Sequence, residues 1–110
     1  MSEPFVRPGT SLCVVSLTYG ADLDAIDAAM SAHVDWLSDA YANGLLLASG
    51  RKQPRTGGVI IAIGSKAEVE ALIANDPFVA KGLATAEIIA FTASMAATPL
   101  ADLLSSWRSH

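Results

Sequence analysis

The sequence predicts a small α+β fold whose elements run strand-helix-strand-strand-helix-strand. Three observations predict it. Four short apolar or β-branched runs alternate with two stretches in which apolar residues recur at spacings of three and four. The second and third runs are joined by about eight turn-forming residues with no helix between them. The chain has 110 residues, the size of one domain.

Residues 12–19 read LCVVSLTY, a strand apolar on both faces, and Gly20 breaks it. Asp22 or Asp24 can cap the helix that follows. Leu23, Ile26, Met30, Val34, Leu37 and Tyr41 form its apolar stripe, and Asn43-Gly44 ends it. Residues 45–49 (LLLAS) are a second strand. The link Arg51-Lys52-Gln53-Pro54-Arg55-Thr56-Gly57-Gly58 is basic and rich in turn formers, and here Gly57-Gly58 reads as turn geometry. Residues 59–63 are a third strand. Ser65-Lys66-Ala67-Glu68 is a capping box for a second helix that turns Val69, Leu72 and Ile73 inward. Asp76-Pro77-Phe78 opens a short turn, and residues 86–93 are a fourth strand. Thr98-Pro99 then starts a tail helix with Leu100, Leu103, Leu104 and Trp107 at i, i+3, i+4 and i+7.

A parallel crossover needs a dozen or more residues, so the second and third strands pair antiparallel. The other links contain helices. The result is a ferredoxin-like βαββαβ sandwich with both helices on one face of the sheet. Residues 1–110 are expected to form this single domain, with a core over about 11–93 and a helical tail over about 98–107. The strands are apolar on both faces, whereas a one-sided sheet in water alternates apolar with polar. The uncovered face is therefore expected to meet a second copy, giving a homodimer through the sheet, with the tail helix packing across the dimer or onto a further subunit.

Composition supports a partner. Apolar residues make up 52% of the chain and charged residues 16%, and the mean hydropathy is +0.41. So small a domain cannot hide that much apolar surface alone. No run approaches the roughly 18 apolar residues that span a bilayer, and the start lacks the apolar core of a signal peptide. The net charge of −4 argues against nucleic acid. Cys13, the single cysteine, reads as a small core residue, and a cytoplasmic location is expected.

Few residues carry chemistry. His33 lies at the edge of the first helix's apolar stripe. It reads either as a boundary histidine with one satisfied nitrogen or as a general acid or base titrating near neutrality. Asp76 reads as the cap of the turn after it, and its carboxylate can also hold an imidazole in one tautomer, one oxygen capping while the other accepts from histidine. Arg51, Lys52 and Arg55 gather three of the seven basic residues within five positions, either as a solvated loop or as an anion clamp. Ser49 and Gly50 stand beside that loop, where Ser49 can donate to a ligand. Trp36 projects from the stripe and is expected to pack on a neighbouring chain or line a pocket wall. No metal-ligand spacing, dinucleotide fingerprint or phosphate loop is present, so neither a metal nor a cofactor is expected.

Ala32-His33-Val34-Asp35-Trp36-Leu37, Leu47-Ala48-Ser49-Gly50, Pro54-Arg55-Thr56-Gly57-Gly58 and Asn75-Asp76-Pro77-Phe78, in this order and spacing, resemble the YCII-related family over roughly residues 11–93. The resemblance implies a dimeric α+β barrel. It also implies that His33 and Asp76 are the catalytic pair and that Ser49 and Gly50 line the cleft. Many members carry proline where this chain has Arg51, which gives the pocket a charge.

Two functions follow. One is a cofactor-independent isomerase or lyase, dehydrohalogenase-like, acting on a small carboxylated or cyclic molecule from aromatic-compound or lactone breakdown. In it His33, oriented by Asp76, moves a proton while Arg51, Lys52 or Arg55 neutralises an anion. The other is a non-catalytic module that binds a small metabolite or serves in assembly.

Overall fold

The computed structural model describes residues 5–107, with side-chain surroundings over 7–104. In chain order the elements are β1 (Phe5–Val6), β2 (Thr10–Tyr19), α1 (Leu23–Ala42), β3 (Leu46–Arg51), β4 (Gly57–Ile63), α2 (Lys66–Ile73), α3 (Pro77–Ala80), β5 (Ala84–Ala93), β6 (Ala96–Ala97) and α4 (Thr98–Trp107). The main sheet has the order β3-β4-β2-β5 with every neighbouring pair antiparallel. This is the ferredoxin-like βαββαβ arrangement. A two-stranded ribbon of β1 and β6 was not legible from hydrophobic periodicity, because each strand has only two residues.

Strand pairing fixes the two faces. Cys13 is opposite Ala62, Val15 opposite Ile60 and Leu17 opposite Gly58, and these side chains share the helix-covered face. Cys13, Val15, Leu17, Ile60 and Ala62 form one core with Val69 and Ile73 of α2 and Ala40 of α1. α1 begins at Asp22, whose carboxylate accepts from the Ala25 N–H at 2.9 Å, and Gly44 follows its end at φ 74°. The Ser65–Glu68 capping box is present in full at the start of α2.

The paired segments reach further into the basic link than its turn-rich sequence suggests. Gly50, Arg51 and Gly58 lie in the β3–β4 ladder, and Gly57 of β4 pairs with Thr18 of β2. Gly57 belongs to a strand for a packing reason, since a Cβ there would come within 1.8 Å of the Leu17 carbonyl oxygen. Glycine at 57 is thus required by the close approach of β2.

The tail helix has contacts within its own chain. α4 packs on its own chain: Leu104 is fully buried in a cluster with Leu12, Ile63, Ala93 and Ala96. The reason is geometric, since the β1–β6 ribbon turns the chain back over that end of the sheet. Only part of the predicted stripe faces inward, with Leu100 and Leu103 exposed. The Trp107 side chain lies outside the described residues. Over the rest of that face Ile89 and Phe91 are about half exposed, and Val14 and Ile61 are partly so.

Candidate functional site

α1 carries its candidate functional side chain, His33, on a seam one position round from the predicted stripe. The buried residues are Ile26, Ala29, His33 and Ala40, whereas Leu23, Val34 and Tyr41 are exposed. Alanines at 29 and 40 let the helix sit close to the sheet. Met30, Val34 and Leu37 instead wall a cavity of about 270 Å³ between α1 and the sheet. His33 stands where seam and wall meet.

Asp76, fully buried, faces it. Oδ1 of Asp76 lies 2.7 Å from Nδ1 of His33 and also accepts the Phe78 N–H at 3.1 Å. One oxygen thus performs both tasks that the sequence divided between two, and Oδ2 has no hydrogen-bond partner among the described residues. The cap fixes the carboxylate because Pro77 starts α3 directly after it. Phe78 then stacks on the imidazole, with ring centroids 4.0 Å apart and planes within 10°. Trp36 stacks more loosely on it, at 6.1 Å and 28°, and packs against the core; it does not line the cavity. With Nδ1–H donating to the carboxylate, Nε2 is the nitrogen left to accept a proton.

The sheet supplies the floor and the rim. Leu17, Tyr19, Gly58 and Ile60 lie beneath the helix wall, and Ser49, Gly50 and Arg51 close the β3 side. The Ser49 hydroxyl is 2.8 Å from that of Tyr41. Of the three clustered cations only Arg51 lines the cavity. Lys52 reaches Thr18 Oγ1 at 3.5 Å on the other face of the sheet, and Arg55 donates to Asp27 Oδ1 at 2.6 Å. Tyr19, Gly58 and Phe78 were not singled out as lining. For Tyr19 the signal was available in strand parity, since it shares the face of Val15 and Leu17. The lining contains Arg51, His33, Tyr19 and Ser49 but no carboxylate, so its polar groups suit a ligand rich in oxygen acceptors. Among the described residues no cluster of three or more His, Cys, Asp or Glu could hold a metal ion, and no helix is long and apolar enough to cross a membrane.

Residues 12–92 match the YCII-related domain. The chain belongs to the YCII-related domain family. Its fold is shared by a solved structure of 5-chloro-2-hydroxyhydroquinone dehydrochlorinase (TftG) from Burkholderia phenoliruptrix AC1100 in complex with 2,5-dihydroxybenzoquinone. The similarity has a TM-score of 0.60 at 22% identity and covers 73% of this chain and 90% of that one. No curated protein matches the chain.

Proposed function

We propose that this YCII-related protein is a cofactor-independent enzyme that moves a proton on a small, oxygen-rich cyclic or carboxylated molecule, as an isomerase or a lyase. The observation that carries this reading is the 2.7 Å contact between His33 Nδ1 and the buried Asp76 carboxylate at the wall of an apolar cavity. Nε2 of His33 takes a proton from a carbon next to a carbonyl, and the electron pair moves onto the oxygen. From that enolate, return of the proton to a different carbon gives isomerisation. Loss of a leaving group with its electron pair, the proton passing to solvent, gives elimination. Arg51 and Ser49 hold the oxygen that gains charge, and Gly50 lets the ligand approach the β3 backbone. The dehydrochlorination named for TftG is an elimination of this kind, and it favours the lyase form.

The test is turnover of lactones and chlorinated hydroquinones followed by product chromatography. Turnover that disappears in His33→Asn supports the proposal, while undiminished turnover in that variant sinks it. A ligand that stabilises the protein and is recovered unchanged would identify a binding module instead.

The same reading includes a homodimer through the face that carries Val14, Ile61, Ile89 and Phe91. Half-exposed Ile89 and Phe91 beside these strands support it. Solution mass at micromolar concentration is the direct check, and a mass of one chain contradicts it.

A further inference from the structure

The cavity has a second polar end that the His33–Asp76 pair does not use. Tyr19 closes β2 and lines the cavity, with its ring edge-on to Phe78 at 5.9 Å and 85°. Its backbone N–H donates to the Thr56 carbonyl at 2.9 Å, which joins β2 to the β3–β4 loop. The neighbouring Arg55 is anchored on α1 by its 2.6 Å bond to Asp27. No described residue accepts a hydrogen bond from the Tyr19 phenol O–H, which is left for a ligand in the cavity that Tyr19 lines.

The sheet register locates this end relative to Arg51. Arg51, Gly58 and Leu17 form one row across β3, β4 and β2, and Tyr19 lies two residues further along β2. Strand spacing and strand rise put Arg51 and Tyr19 about 12 Å apart at the backbone. Between Arg51 and Leu17 the row holds only Gly58. A Cβ at Gly58 would meet the Gly50 carbonyl oxygen at 3.1 Å and nothing else within 4 Å, so the floor above it is bare. A flat ring has room to lie there, in the cavity that His33 also lines.

We propose that Tyr19 donates a hydrogen bond to a second ligand oxygen at the end of the cavity remote from Arg51, so that the site selects small rings oxygenated at both ends. This rests on the proposed reading of the same cavity and adds a specificity-determining residue to it.

Benzoate and 4-hydroxybenzoate, which differ only in the oxygen opposite the carboxylate, are the probes, with Kd measured by calorimetry. The wild-type protein is expected to prefer 4-hydroxybenzoate by about fivefold or more, the range of one net hydrogen bond. Tyr19→Phe should bring the two Kd values together by weakening 4-hydroxybenzoate. No preference in the wild-type protein, binding of neither probe, or the full preference in Tyr19→Phe would overturn the proposal. His33→Asn should keep the preference. Absence of turnover with an intact preference would count against the proton-transfer reading alone.

Discussion

Asp76 and His33, 43 residues apart in sequence, meet through a single oxygen that also caps a helix. Orientation of the imidazole is thereby tied to the backbone geometry of α3. Removing the side chain and removing only its charge should have different consequences. Asp76→Ala is expected to lose about 1–3 kcal/mol, combining a lost cap with a lost charged hydrogen bond. Asp76→Asn keeps an oxygen for both donors and should lose less. Urea unfolding of the two variants checks the order, and equal losses would contradict it.

His33→Asn keeps a polar group but removes the base. Turnover is expected to fall by about 10²–10⁴-fold with the fold retained. Steady-state kinetics beside a circular dichroism spectrum separate the two effects.

Adjacent glycines should behave differently. Gly57→Ala forces a methyl group against the Leu17 backbone, where it has no room. It is expected to destabilise by about 2–4 kcal/mol. Gly58→Ala meets a single carbonyl oxygen at its limit of approach. It should fold with nearly wild-type stability and bind flat ring ligands more weakly. Melting curves and ligand titration of both variants test the contrast.

Cys13 has no exposed surface, and its thiol lies 3.6 Å from the Gly64 carbonyl oxygen. Burial first, then the charges of Glu68 and Glu70, push the thiol above its ordinary value of 9.0, against a smaller opposing pull from Lys66. The thiolate is the reactive form, so alkylation at pH 8 should be slow in the native protein and fast in denaturant. The sign for stability follows. The unfolded thiol ionises from pH 9.0 upward while the folded one holds its proton, so this contribution is complete below 9.0 and declines above it. Cys13→Ala should flatten that alkaline decline.

The pairing of the two middle strands was legible because the short link between them leaves one plausible arrangement. The helix caps at Asp22 and Ser65 were legible for the same local reason. The seam of α1 was harder to read, since alanines 29 and 40 carry little hydrophobic signal and yet are buried. The fate of the basic cluster was not legible at all. Whether Arg55 faces a ligand or Asp27 depends on how a loop crosses a helix, and no spacing encodes that. Trp36 does not line the cavity wall for a related reason: being off the stripe on a helical wheel does not keep a large ring from packing against the core.

The division of α1 into a buried seam and a cavity wall has a consequence for how such a protein diversifies. Met30, Val34 and Leu37 shape the space above Gly58, and Val34 is nearly half exposed. Exchanges at Val34 therefore remodel the chamber with little penalty to folding, whereas Ile26, Ala29 and His33 are locked by their neighbours. One side of the helix is thus free to vary while the other side preserves the architecture.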